Sequence, residues 1–467
     1  MSTIPLITVT TPYGNITAFY NKISSINCSN SIGGQGSYNI QFKYDSVFLD
    51  QPIKSLIEIK FNKKTVFMGV LDNIRESHSL AEGGAVQHNV TWSGRGFEGY
   101  WQDIDHYYLA ARAEMIDLDP EATMLGEGIT FSGSIDLLIW AFIRYHFLGY
   151  RKEQRTRQLK WGILDLITIL NVDNLYNFDD DPLLPEYMMR DITRSGTLWS
   201  MIQGISNPPF SECFFNYSNG EANFHFRPAP FWQTDNINPK SQNIIEHKRN
   251  FDTDWVQRKD LGKNDNNFYN TYFVFVESMI LDNTYAIPFV LTKVDIDGKS
   301  YSLPLMEIDK IQRFGTKLLQ KRINWITGNT ESDIVMNTIN ERLPLWTLRL
   351  FQYYFVADRF YEGTLSLPIE NNEEIQPGHY ILDESTNRKY YVNSVSHTYQ
   401  AYGNKPILSL NLSRGIDWDM LPGMYVERLK QLKTIHTAQE MAELDAILEK
   451  YESRKKQLNA QNNKADQ

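Results

Sequence analysis

Residues 378–415, GHYILDESTNRKYYVNSVSHTYQAYGNKPILSLNLSRG, constrain the fold more than any other stretch. Tyr380 and Leu382, then Tyr391, Asn393 and Val395, alternate with their neighbours as a half-buried strand does. Residues 384–387 form a polar loop of hairpin length. Tyr402-Gly403-Asn404-Lys405-Pro406 is a second turn, because Gly and Asn tolerate positive φ and Pro406 suits a strand start. Leu408, Leu410 and Leu412 then share one face, opposed by Ser409, Asn411 and Ser413. This predicts an antiparallel meander of three strands. It contains no catalytic signal, so the sheet it completes decides the fold.

The rest of the chain must supply that sheet. Its 467 residues suffice for roughly three domains. Hydrophobic residues at 42% and aromatics at 13% provide material for cores, and 22% charged residues argue against global disorder. A net charge of −10 counts against nonspecific gripping of nucleic acid. Two cysteines, Cys28 and Cys213, cannot make a disulfide framework, which suits a reducing compartment. Residues 1–11 lack a secretory pattern, and the longest apolar run, 135–143, is far too short to span a bilayer. A soluble protein made in the cytoplasm, without stable membrane insertion, is expected.

Taken in order, residues 1–105 read as short strands joined by tight turns. Tyr38, Ile40, Phe42 and Tyr44 face one way; Ile57, Ile59 and Phe61 alternate with Glu58 and Lys60. Asn62-Lys63-Lys64 turns, Val66, Met68 and Val70 return, and 87–93 adds another strand. A small antiparallel β-barrel is expected there. Over 106–232 the period turns helical, with candidate helices at 135–142, 163–172 and 196–206; residues 211–227 then form a hairpin turning at Asn219-Gly220. This is an α+β insert. Residues 233–250 are polar and loop-like. The segment 267–276 resumes as a strand and is expected to pair with 407–414 in a second barrel. The return strands of that barrel then occupy 233–289, a second insert 290–376, with helices at 307–321 and 332–355, and the closing meander 377–415. Residues 416–467 hold a C-terminal helix, read as continuous over 423–458, and a tail. The fold class is α+β, mainly antiparallel β: two small tube-like β-barrels, α+β inserted domains and a C-terminal helix.

The candidate chemistry is thin. Gly94-Arg95-Gly96-Phe97-Glu98-Gly99 matches a dinucleotide fingerprint by letter. Its preceding strand alternates with polar residues, however, and no long helix follows, so a glycine-rich turn leaving a barrel is the reading. Asp179-Asp180-Asp181 and Asp295-Ile296-Asp297-Gly298 lack the spaced oxygen donors of a calcium loop. Cys213 and Cys28 have no evident base, and the nine histidines are scattered. The basic run Arg151, Lys152, Arg155, Arg157, Lys160 reads as a solvated surface, or else as a dock for an acidic partner. No catalytic, cofactor-binding or metal-ligating residue is nominated, no cofactor is expected, and the chain reads as a non-enzyme.

The ordered set of elements resembles the baseplate (tail) hub proteins of contractile-tailed phages and related injection particles, also called late-control-type hubs. Three stretches carry the resemblance: 37–99, with Phe67-Met68-Gly69-Val70-Leu71-Asp72 and the 93–99 exit; 196–231, from Gly196-Thr197-Leu198-Trp199 to Pro228-Ala229-Pro230-Phe231; and 377–415. It covers residues 1 to 415. It implies a homotrimer whose three copies present six barrels to a six-fold tail tube, grip a central spike protein at the three-fold end, contact other baseplate proteins, and pass DNA transiently through a channel. The implied location is the virion tail baseplate, assembled in the bacterial host cytoplasm. Two rival functions are a tail-tip peptidoglycan hydrolase, with paired carboxylates in the 106–232 insert, and a receptor-binding tail protein.

Overall fold

The computed structural model describes residues 5–11, 15–20, 22–80, 86–103, 105–106, 124–125, 130–133, 170–171, 188–191, 196–206, 208–218, 220–229, 244–253, 256–263, 268–276, 293–296, 299–323, 333–401 and 405–432. The basic run at 151–160, the aspartates at 179–181 and the candidate helix at 135–142 lie outside them, as does most of 163–172. The described elements are mostly antiparallel sheets with a few helices.

The N-terminal strands are β1 (Pro5–Thr10), β2 (Ile16–Phe19), β3 (Ile23–Ser31), β4 (Ser37–Lys43), β5 (Leu56–Phe61), β6 (Lys64–Leu80) and β7 (Val86–Arg95). The alternation expected in β4 holds: Tyr38, Ile40 and Phe42 are buried, Asn39 exposed. Tyr44 departs from it. It lies past the strand end, 42% exposed, with its ring stacked on His88 at 3.5 Å. Of the expected Asn62-Lys63-Lys64 turn, Asn62 and Lys63 alone are the turn residues, both with positive φ (50° and 69°) as a type I′ hairpin requires, and Lys64 already pairs with Phe61. Inside, Phe42, Phe48 and Trp92 pack ring on ring, Phe42–Phe48 at 4.2 Å and Phe42–Trp92 at 4.6 Å. Each such side chain contributes about 1.5–3 kcal/mol on leaving water.

β6 runs ten residues beyond Val70, where the alternation ends. Its polar outer part, pairing with β7 as far as Leu80↔Val86, carries no apolar stripe to announce it. Along β5 and β6 both faces are covered: Glu58 is 9% exposed, and Val66, Phe67, Met68 and Val70 are all buried. The insert supplies the cover. Its hairpin, β8 (Ser211–Ser218) and β9 (Glu221–Pro228), pairs Ser218 with Glu221 on either side of the expected turn. Tyr217 packs on Phe67 at 5.3 Å, and the Gly220 N–H donates to Thr65 Oγ1 at 3.0 Å. Ahead of it, α1 (Phe97–Gln102) and α2 (Leu198–Ile205, capped by the Thr197 side chain) bring Trp101 and Trp199 together at 6.3 Å.

The C-terminal half holds β10 (Glu246–Arg249), β11 (Arg258–Gly262), β12 (Thr271–Val276), β13 (Leu305–Met306), β14 (Leu318–Ile323), β15 (Tyr361–Pro368), β16 (Tyr380–Asp383), β17 (Arg388–Gln400) and β18 (Ile407–Asp417). The meander is present as β16–β17–β18, antiparallel throughout. The expected pairing of 267–276 with 407–414 is not formed. β12 lies in a separate three-stranded sheet, between β13 and β14, and the neighbours of β18 are β17 and β15. The side chains give the reason. β15 alternates, so Leu365 and Leu367 match Leu410 and Leu408 in register. β12 (TYFVFV) is apolar almost throughout, pairs in parallel with β14, and is covered by the helix Asp333–Tyr354, whose Phe351 meets Tyr272 at 5.3 Å.

Three further expectations change. The polar segment 233–250 contains a strand, β10, hydrogen-bonded in parallel to β16. The helix expected over 307–321 stops at Phe314, where Gly315 takes a φ of +73°, and the chain continues as β14. The helix expected as continuous over 423–458 breaks after Leu421–Gln431: Leu432 is extended and bridges to Glu307, and the residues beyond it lie outside those described. Lys293–Ile296 and Lys299–Ser302 pair antiparallel, with Ile296 opposite Lys299.

One strand unites the two halves. β17 keeps β18 on one edge. Along the other, Arg388–Tyr391 pairs with β16 and Ser394–Gln400 pairs with β3. The result is one 13-stranded sheet ordered β11-β15-β18-β17-β3-β4-β7-β6-β5-β1-β2, with β16 and β10 branching from β17.

Candidate functional site

The β8–β9 hairpin is wedged where the two halves meet. Gly33 N–H donates to Cys213 O at 3.2 Å, Asn30 Nδ2 to Phe215 O at 2.7 Å, and Ile32 N–H to Asn393 O at 2.9 Å. The hairpin's own cross-strand pair, Glu212 and Arg227, then reaches the meander. Arg227 Nε donates to Glu212 Oε1 at 2.8 Å, and the Tyr391 hydroxyl donates to the same oxygen at 2.5 Å. Arg227 Nη2 donates to Gly378 O at 2.8 Å, while its guanidinium lies 5.0 Å over the Phe214 ring. Gly378 has a φ of +84°, and a Cβ there would lie 2.3 Å from Phe214 and 2.7 Å from Arg227 Nη2, so only glycine fits.

Electrostatics keep this cluster as a strut. Burial opposes the Arg227 charge, but Tyr391 and Glu212 outweigh it, so the guanidinium is held above its ordinary range. Burial, then Glu212, pushes the Tyr391 hydroxyl far up, so it remains a donor. A protonated phenol and a fixed guanidinium on one carboxylate supply neither a nucleophile nor a mobile proton at neutral pH.

Two other clusters tie elements together. Arg95 grips Asp72 through Nε (2.8 Å) and Nη2 (3.1 Å), and Asp103 through Nη1 (3.0 Å) and Nη2 (2.6 Å); Lys54 Nζ lies 2.9 Å from both carboxylates. Buried Glu307 accepts from Lys310 (2.9 Å) and from Arg428 (3.2 Å) of the C-terminal helix, and Arg428 also reaches Asp358 at 3.1 Å. Burial raises the Glu307 carboxyl, and Lys310 and Arg428 pull it back.

Of the motifs weighed in the sequence, those among the described residues find a place. The 94–99 glycine stretch ends an antiparallel strand and opens a six-residue helix, the exit turn expected. A Cβ on Gly94 would lie 1.9 Å from Val70 O, so glycine lets β6 and β7 approach there. Glu98 is fully buried among Gly36, Gly96 and Tyr217, and burial pushes its carboxyl up to about 7. Both cysteines are buried, each thiol pushed up to about 12 by burial, hence inert. Sequence reasoning missed Glu212, Arg227, Tyr391, Glu307 and Arg428. A signal existed for the first two alone: on a hairpin turning at 219–220, Glu212 and Arg227 fall opposite each other.

No protein-family model matches this sequence, and no curated protein is significantly similar to it. Its fold is similar to that of several solved structures. The tail protein from Neisseria meningitidis MC58 is 12% identical, with a TM-score of 0.46, over 89% of this chain and 97% of that one. Prophage tail protein gp18 from Listeria monocytogenes EGD-e is 11% identical, TM-score 0.42, over 91% and 99%. The E. coli c3393 protein, described as a type VI secretion component with structural similarity to bacteriophage T4 tail proteins gp27 and gp5, is 8% identical, TM-score 0.40, over 84% and 73%.

Proposed function

We propose that this chain is a structural hub at the tip of a phage-type tail tube. It acts as a homotrimer, joins the six-fold tube to a three-fold central spike, contacts other baseplate proteins, and leaves an axial channel for DNA or effectors. The observation that carries this reading is the β3–β17 pairing, which sets two β modules side by side in one sheet. A subunit with two modules makes a six-module ring from three copies. The ends of the sheet add support. Among the described residues β2 and β11 are edge strands, β2 opening with Ile16 (71% exposed) and followed by Tyr20 (61%), and β11 exposing Arg258, Lys259 and Asp260. Unlike edges at opposite ends of one sheet suit a head-to-tail contact, the kind that closes into rings. Its work is mechanical, and the location is the virion tail, with assembly in the host cytoplasm.

Electron microscopy of the purified full chain tests the reading. Rings with three-fold symmetry and six lobes are expected. Particles of other symmetry, or single subunits at every concentration, would overturn it.

A further inference from the structure

The outer part of the β6–β7 ribbon carries a group of side chains that the structural role does not use. His78 and His88 are direct cross-strand partners, and Glu76, two residues before His78, shares its face. Glu76 Oε1 lies 2.6 Å from His88 Nε2 and 3.3 Å from His78 Nε2, and one ligand atom from each of the three falls within 4.8 Å of the others. The rings lie in a row: Tyr44 stacked against His88 at 3.5 Å, and His88 tilted by 32° against His78 at 3.7 Å. The Tyr44 N–H also donates to the His88 carbonyl at 3.1 Å, which fixes the backbone beneath the row.

We propose that Glu76, His78 and His88 form a site for a divalent transition-metal ion of the zinc class, with a fourth position open to water or an outside donor. The donor set favours this ion. Two imidazoles and one carboxylate suit zinc, nickel or copper, whereas calcium takes six to eight oxygens. The spacing is close to what is needed. Ligand atoms about 2.0–2.2 Å from a tetrahedral ion lie about 3.3 Å from one another. The Glu76–His78 separation already has that value; the Glu76–His88 hydrogen bond must open to it and the two imidazoles must turn so that their Nε2 lone pairs converge, which side chains at a solvent-accessible surface can do. The site also has something to stabilise. β4 pairs with β7 no further than Asn89, and β5 with β6 no further than Val70, so among the described residues the ribbon beyond has two strands only. A two-stranded ribbon is marginal in water. An ion ligated from both strands clips it at the pair where its support ends.

The test uses the full chain without a histidine tag, stripped of metal, and titrated with zinc chloride by calorimetry. One ion per chain is expected, and cobalt(II) should give the visible absorption of a tetrahedral site. His78→Gln and His88→Gln should each weaken zinc binding by at least about tenfold, and the double variant should abolish it. Zinc should raise the melting temperature of the parent and not of the double variant, while the two melt alike without metal. Failure of the parent to bind zinc, or equal binding by the double variant, would overturn the proposal.

Discussion

Cys28 of β3 stands directly opposite His397 of β17, on the strand pair that joins the two halves of the sheet. Both side chains are buried, Cys28 at 1% and His397 at 2% exposure, and the Phe61 ring stacks over His397 at 6.2 Å. Burial pushes the thiol up to about 12 and the imidazole down to about 3, so both are neutral. A thiol and imidazole so placed form no thiolate–imidazolium pair; they pack the joint.

The His397 site makes the joint sensitive to acid. A histidine held below its ordinary 6.5 contributes full stability above that value and loses it as pH falls towards 3. The loss is about 1.4 kcal/mol for each pH unit below 6.5. His379 and His225, also lowered to about 3 by burial, act in the same direction. The melting temperature should therefore drop steeply as pH falls from 6.5 towards 3, and His397→Gln should make the drop shallower. An unchanged slope in that variant would remove His397 from the account.

Glu98 has the opposite sign. Its carboxyl is raised from 4.5 to about 7, so its contribution is full below 4.5 and is lost as pH rises through 7. Glu98→Gln should gain up to about 3 kcal/mol over the parent at pH 8 and almost nothing at pH 4. Denaturant midpoints at the two values measure this, and equal gains at both would contradict it.

Arg227→Met should cost about 3–5 kcal/mol, because it leaves Glu212 buried with Tyr391 as its remaining partner. Tyr391→Phe should cost less, about 1–3 kcal/mol. The pair Glu212→Gln with Arg227→Met should fall well short of the sum of the singles, since both remove one interaction. Urea unfolding of the four proteins gives the comparison; strict additivity would mean the cluster is not one unit.

At the C-terminus, stability and assembly should separate. Arg428→Met removes a counter-ion from buried Glu307 and should lower the melting temperature. Deleting 433–467 leaves that contact in place, so melting should be unchanged while assembly weakens. Calorimetry beside a sizing column checks both; intact assembly would make those residues dispensable.

Much of the local structure could be read from sequence because it depends on side chains close in the chain. The meander follows from alternating Leu408, Leu410 and Leu412, the 211–228 hairpin from its turn, and the 333–354 helix from its length. What was missed is set by distant partners. β6 continues to Leu80 because β7 pairs with it, although residues 71–80 carry no apolar stripe. β10 is a strand because β16 supplies its hydrogen bonds. β12 was misplaced because a nearly all-apolar strand fits any buried sheet, and only its parallel partner at 318–323 decides which. The same dependence hid the sites: His78 and His88 are ten residues apart in sequence and opposite only in register, and Glu307 and Arg428 belong to different elements.

The central claim is the three-copy ring, and the molar mass of the full chain in solution tests it most directly. Light scattering across a sizing column, from micromolar concentration upward, should give a species of three times the 54.4 kDa chain mass. A single species at 54.4 kDa throughout that range, or a stable dimer, would contradict it.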